Sequence, residues 1–448
     1  MKKFVKTIKN IWAIEDLRTR ILITLGFAAI YRLGSFIVLP GVNPNGLQQL
    51  ANQTSEGLMS LLNMFSGGAF SNASIFALGI MPYISASIVI QLLTVVVPYF
   101  QKMQREGESG HRKINQYTRY LTIFVLLFQG PFYLINLYNQ AGNAIVVDSS
   151  TFYVSSTIIL AAGSMFVLWL GERITDRGIG NGISLIIMLG IIARLPQAFG
   201  QEVVSRLTAL SGGGLVMFLI EIILLFGVVL AAILLVQGTR RVPVQYAQRM
   251  VRGQQVGGAR QYIPLKLFAA NVMPIIFAQA IMFIPATLIG FFTESGQSST
   301  FAMVMSDYRS WQYNVVFALL IIAFSYFYTS ITMNPVQMAE DIKRNNGFIP
   351  GVRPGKDTAD YLDSVMTHLM LPGSIFLAII ACMPAFTGLL NVTPEFAHFF
   401  GGTSLLILVG VVLDTLQQIE SHLLMRHYDG LMDSGRIHGR NIGTVAAY

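Results

Sequence analysis

Long apolar runs alternate with polar segments along the whole chain, and they predict ten membrane-spanning helices. The runs cover residues 21–40, 75–97, 120–138, 154–170, 183–199, 215–236, 268–292, 315–333, 364–385 and 404–425. A helix needs about 20 apolar residues to cross a bilayer core. The run 183–199 is short and is entered through Gly178, Gly180 and Gly182, which predicts a tight turn leading a helix into crowded packing. One stretch breaks the rhythm. Residues 58–98 divide into a half-polar piece, 58–72, broken by Gly67 and Gly68, and an uncharged run from Ile75. A half-length, glycine-broken piece ahead of a full span is expected where backbone sits at membrane depth beside a cavity.

Composition agrees. Of 448 residues, 53% are hydrophobic and 12% are charged, against about 25% charged in soluble domains. A net charge of +8 is also what a nucleic-acid binder shows, but the positions of the charges favour membrane orientation. All but four of the 30 Lys and Arg precede span one or follow spans two, four, six, eight and ten. The exceptions are Arg32, Arg194, Arg206 and Arg309. By the positive-inside rule both termini are cytoplasmic and the number of spans is even. The basic start, MKKFVKTIKN, is not read as a signal peptide, because the run behind it is too long, holds Arg32 and is followed by many more spans.

Ten spans split into five and five, so a repeat between the halves is inverted in topology. The first half is 21–199 and the second 215–425, joined by an external connection at 200–214. Residues 1–20 form an amphipathic cytoplasmic N-terminus and 426–448 a cytoplasmic tail. Spans two and seven each carry a Met-Pro step, Met81-Pro82 and Met273-Pro274, placed roughly two turns into the run. Two cytoplasmic loops are too long for turns. In 237–266, VPVQY and RQYIP flank a Gly-Gly and predict a hairpin-like finger. The other, 334–363, is dense in turn signals from Asn345-Asn346-Gly347 to Pro354-Gly355, and Asp357, Thr358 or Asp360 is expected to cap the helix of span nine. Such basic, glycine- and proline-shaped loops suit a large anionic or acidic partner.

Enzymatic chemistry is poorly represented. Gly107-Glu108-Ser109-Gly110 matches a GxSG string of intramembrane serine proteases, but it lies in a hydrophilic loop and reads better as a turn. Gly178 to Gly182 lacks the G-x-G-x-x-G spacing and no nucleotide loop is present. Cys382 is the single cysteine, so there is neither an internal disulfide nor a cysteine metal site, and no HExxH occurs. Arg32, Glu221 and Asp414 are ionisable residues within spans and functional candidates for that reason. Arg32 and Glu221 can snorkel or pair. Asp414, with Gln417, Gln418 and Glu420 one turn on, reads as an approach to the cytoplasmic surface as much as the proton site of a secondary transporter. Ile80 with Ile84, and Ile183 with Ile187, are i, i+4 pairs that share a helix face. Alone they are ordinary packing residues. Gathered around a cavity, such faces form a dry constriction that gates by dewetting.

The strings LLNMFSGGAFSNASIFALGIMPYISASIVIQLLTVVVP, REGESGHRKINQYTRY, GERITDRGIGNGIS, NNGFIPGVRPG and GGTSLLILVGVVLD resemble the SecY family of bacterial protein-conducting channel subunits in content, order and spacing. The resemblance extends over nearly the whole chain. It implies an all-α polytopic membrane protein, with ten transmembrane helices in two inverted-topology halves around a central pore, and a short plug half-helix. The plug would include Asn63, Met64, Phe65, Ser66, Gly67 and Gly68 and run to Asn72. The pore ring would be Ile80, Ile84, Ile183, Ile187, Ile276 and Ile407. A lateral gate would open between spans two and three on one side and seven and eight on the other. The cytoplasmic loops would dock a ribosome or the SecA motor ATPase through Arg240, Arg241, Arg249 and Arg353, with Arg353 foremost. SecE-like and SecG-like subunits, signal peptides, nascent chains and membrane lipid are the further partners implied, the bacterial plasma membrane the location, and no cofactor or catalysis is expected. The family pattern has an Asn six residues before the proline of span seven. Here that position is Phe268, with Asn271 nearby, a departure where a polar latch of the gate would sit.

Overall fold

The computed structural model describes residues 12, 14–47, 63–141, 144–208, 214–246, 249–251, 254–256, 260–267, 272–292, 307, 309–388 and 392–433. The first half contains α1 (Glu15–Gly34), α2 (Met81–Val96), the short α3 (Pro98–Arg105), α4 (Glu108–Ala141), α5 (Ser149–Arg177) and α6 (Gly182–Thr208). The second contains α7 (Gly214–Gln237), β1 (Thr239–Tyr246), β2 (Arg249–Val251), β3 (Gln254–Val256), β4 (Arg260–Lys266), α8 (Met273–Phe292), α9 (Trp311–Thr332), α10 (Pro335–Arg344), β5 (Gly347–Phe348), α11 (Lys356–Thr387), α12 (Pro394–Ala397) and α13 (Gly402–Asp433). Each of the ten apolar runs has its helix: α1, α2, α4 to α9, α11 and α13. Residues 1–11, 58–62, 209–213, 434–448, Phe268 and Asn271 lie outside the described residues.

Span two differs from its run. The helix begins at Met81, with Pro82 in its first turn, rather than at Ile75. Proline lacks an N–H and is pre-set for the first helical turn, so the Met-Pro step starts the helix instead of lying within it. Met273-Pro274 opens α8 in the same way. The residues ahead of Met81 pair with the end of span one, which leaves its helix at Gly34. The Leu39 amide donates to the Ala73 carbonyl at 2.8 Å and the Ile75 amide to the Ile37 carbonyl at 2.9 Å. At the other end of α2 the chain bends by 100° into α3, because Val97 precedes Pro98 and is held extended.

Helices of both halves share one core. The largest buried cluster takes residues from α1, α2, α5, α6, α7, α8, α9, α11 and α13. Helix α2 packs against α8 of the opposite half, and α6 packs against α13 and α7. The turn before α6 is as crowded as its glycines predict: a Cβ on Gly182 would lie 2.0 Å from the Gly171 carbonyl oxygen. Helix α6 continues to Thr208, so residues 200–208 of the connection 200–214 are helical.

The two long loops, 237–266 and 334–363, fold together. The expected hairpin forms, with β1 and β4 antiparallel from Thr239↔Lys266 to Gln245↔Arg260. Its Gly257-Gly258 lies outside the described residues. Strand β5, from the second loop, pairs with β1 through Gln245↔Phe348 and Tyr246↔Gly347. Val242, Val244 and Leu265 of the sheet pack with Ile342, Ile349, Leu362, Val365 and Met366, making one platform of the two loops. None of Asp357, Thr358 and Asp360 is the cap of α11. Gly355, at φ 115°, holds that position without a side-chain bond, and the Thr358 hydroxyl donates instead to the Arg353 carbonyl at 2.8 Å.

Candidate functional site

The expected ring residues come from four helices. Ile80 is the N-cap residue of α2 and Ile84 follows one turn later. Ile183 and Ile187 are on the first turns of α6, Ile276 on α8 and Ile407 on α13. Ile80, Ile84, Ile187 and Ile407 are buried in one apolar cluster, and Ile183 and Ile276 pack against it half-buried. The same faces continue through Ile88 and Ile191, which the sequence reading did not single out although the i, i+4 spacing extends to both. Ile275, beside Ile276, is also fully buried there.

The segment from Asn63 lies on this cluster. Met64, Phe65 and Ala69 are buried members of it. Only residues 63–65 are helical, and turns follow through residue 80. Gly67 and Gly68 stop the helix by taking φ values of 66° and 91°, a left-handed region that costs glycine little. On the ring side, the segment is in contact with α6: a Cβ on Gly190 would fall 2.4 Å from the Phe65 carbonyl oxygen.

A buried irregular segment must satisfy its backbone groups, and here side chains do so. Within the segment, Asn63 Oδ1 accepts from the Ser71 amide and Ser66 Oγ from the Phe70 amide, both at 3.1 Å. Around it stand donors from three helices. Tyr31 Oη of α1 donates to the Ser66 carbonyl at 3.3 Å. Arg32 Nη1 donates to the Gly67 carbonyl at 2.9 Å. Tyr133 Oη of α4 donates to the Phe70 carbonyl at 2.9 Å. Arg194 Nη2 of α6 donates to Ser71 Oγ at 3.0 Å.

The remaining off-pattern charges also have structural employment. Arg206 bonds Glu202 at 2.8 Å and also bonds Glu221, while Glu202 accepts from the Thr393 amide at 2.9 Å. All three charged residues are buried. Glu221 therefore pairs rather than snorkels. Arg309 acts on His398: burial, reinforced by the Arg309 charge, pushes that imidazole down to about 4. Asp414 is half-buried, and one turn on Gln418 accepts from the Gly180 amide at 2.9 Å. Ser109 sits at the exposed start of α4 with its hydroxyl toward the Glu106 carbonyl. No metal-ligating group of three or more His, Cys, Asp or Glu occurs among the described residues.

On the platform made by the two long loops, Arg240 and Arg241 are exposed on β1 opposite Leu265 and Pro264. Arg249 is on β2 opposite Val256, and Arg353 is exposed between β5 and α11. The sheet joins the two loops that carry these residues.

Comparisons with known proteins converge. A family model described as SecY matches residues 74–416. The protein translocase subunit SecY of Vibrio cholerae is 41% identical over 433 residues, covering 95% of this chain and 96% of its own. That of Halalkalibacterium halodurans is 41% identical over 432 residues, covering 95% and 99%. The fold is similar to the solved structure of a protein conducting channel, with a TM-score of 0.64 at 17% identity over 95% of each chain. It is also similar to Sec61 in the canine ribosome-channel complex, with a TM-score of 0.61 at 16% identity over 95% of each. The model match over most of the length, with the identity of the relatives along nearly all of it, means that the chain belongs to the SecY family.

Proposed function

We propose that the chain is the pore subunit of a channel that passes unfolded secretory polypeptides across the bacterial plasma membrane and releases apolar segments sideways into lipid. The observation that carries this is the meeting of six isoleucines from four helices at one apolar cluster, four buried in it and Ile183 and Ile276 packed against it, with the segment from Asn63 seated on it. Ile80, Ile84, Ile183, Ile187, Ile276 and Ile407 form the ring, and residues 63–72 the plug. Moving an arbitrary chain requires a passage that binds no side chain tightly. Flexible aliphatic side chains meet that need, and they exclude water and ions by dewetting. The contact of α2 with α8 is the closed lateral gate. A run of about 20 apolar residues leaving through it gains the free energy of transfer to lipid. The chain itself is not an enzyme in this reading, and the driving energy comes from partners.

Those partners are a ribosome or a SecA-like motor on the platform carrying Arg240, Arg241, Arg249 and Arg353, with SecE-like and SecG-like subunits beside the helices. Solved relatives include Sec61 and the Ssh1 complex bound to ribosomes. The Lys and Arg bias supports cytoplasmic termini. A secondary transporter is not favoured, because Glu221 is held by Arg206 and the relatives are translocase subunits. Replacing Ile80 or Ile407 by Asn is expected to raise ion conductance across planar bilayers. Seals as tight as those of the parent channel would overturn the ring assignment.

A further inference from the structure

Two of the four basic residues that depart from the cytoplasmic charge pattern converge on the plug. A guanidinium at membrane depth is costly and persists where it has partners. For Arg32 the partner is a main-chain carbonyl, Gly67, at 2.9 Å, and its guanidinium carbon lies 5.1 Å from the Phe36 ring centroid. For Arg194 the partners are Ser71 Oγ at 3.0 Å and Gln197 Oε1 at 3.3 Å. A Cβ built on Gly68 would lie 3.1 Å from the Arg194 guanidinium, so this cation is pressed against the glycine turn. The two arginines grip opposite ends of the stretch 67–71, one from α1 and one from α6.

We propose that Arg32 and Arg194 are positioning residues that latch the plug in its seat, Arg32 by the Gly67 carbonyl and Arg194 by the Ser71 hydroxyl. This rests on the reading of residues 63–72 as the plug. Hydrogen bonds with an ionised donor are roughly twice as strong as neutral ones, so the arginines outweigh Tyr31 and Tyr133 in the collar. A departing plug removes an acceptor from each cation in a poorly solvated place. That loss opposes opening and favours return of the plug once a polypeptide has passed. The device uses neutral acceptors, so no carboxylate on the plug is required.

The test is the frequency of spontaneous openings in planar bilayers, with the complete channel complex and no polypeptide present. Ser71→Ala deletes the acceptor and leaves the cation; it also removes the Ser71 hydroxyl's bond to the Gly68 carbonyl at 3.1 Å, so the pairing is read from the double variant, and a thermal midpoint equal to the parent's verifies the fold. Ser71→Ala, Arg194→Gln and Arg32→Gln are each expected to raise the opening frequency about tenfold, the equivalent of one charge-assisted bond. The double variant Ser71→Ala/Arg194→Gln should open no more often than either single one. Deletion of 63–72 is the control. A leaky deletion with tight Ser71→Ala, Arg194→Gln and Arg32→Gln channels overturns the latch and leaves the plug standing. Fully additive effects of Ser71→Ala and Arg194→Gln overturn the pairing. A tight deletion overturns the plug reading itself, and the latch with it.

Discussion

Replacing Gly190 by Ala adds one methyl group where the backbone of α6 meets that of residues 63–72, the proposed plug. Its Cβ would lie 2.4 Å from the Phe65 carbonyl oxygen and 3.1 Å from the Gly67 nitrogen. Ordinary contact begins near 3.4 Å, so one backbone must retreat by about an ångström. Helix α6 is fixed by its hydrogen-bonded turns and by packing on α13, α7 and α5. The plug is held by turns and a few side-chain bonds, so the plug yields. Overpacking of this kind costs about 1–3 kcal/mol, which, charged to the seated plug, multiplies the unseated population by about 5- to 150-fold. Single-channel recording in planar bilayers reads this as more frequent openings without substrate. Gly190→Ser should behave alike, whereas Gly200→Ala, on the same helix with nothing within 4 Å of its Cβ, should not. A Gly190→Ala channel as silent as the parent, with normal expression, would refute the close seating of the plug on α6.

Two further outcomes follow from the buried charges. Arg206→Gln leaves Glu202 and Glu221 buried without their cation, and breaking such a pair costs about 3–5 kcal/mol; the thermal unfolding midpoint of the protein in nanodiscs should fall by several degrees. His398 has its proton affinity lowered in the fold, so its contribution to stability is present above its ordinary value of 6.5 and is lost as pH falls through that value toward about 4; unfolding midpoints measured between pH 7 and 4 should decline less steeply in His398→Gln than in the parent.

Much of the architecture was legible in the sequence because bilayer insertion writes itself into long uncharged runs. Ten runs became ten helices, and the turn Gly178–Gly182 and the finger 237–266 were visible from glycines and alternation. The misplacement at span two has a local cause: residues 75–80 are as apolar as the helix after them, and hydropathy cannot tell a buried turn from a buried helix. Pro82 and Gly79 carried the better signal. Strand β5 is two residues long, and its partner β1 lies about a hundred positions away, so no local pattern announces it. Helix α10 was signalled by Asn334-Pro335, where Asn334 Oδ1 caps the amides of Val336 and Gln337, but turn residues around it dominated the reading. The isoleucine pairs were visible as shared faces. Which faces meet is a property of the packed bundle, and only the family resemblance supplied that in advance. Arg32 and Arg194 stood out as misplaced charges, yet their acceptors are a carbonyl and a hydroxyl that carry no sequence signature.

A polypeptide stalled in transit offers the most direct test of a pore lined by the isoleucine cluster. With Cys382 replaced, single cysteines at Ile84 and Ile276 should crosslink to a cysteine in the stalled segment, and a cysteine at Ile223, exposed on the outer side of α7, should not. Crosslinks at both ring positions, dependent on stalling, are the predicted result; a stalled chain that reaches neither would contradict a passage through the centre of this protein.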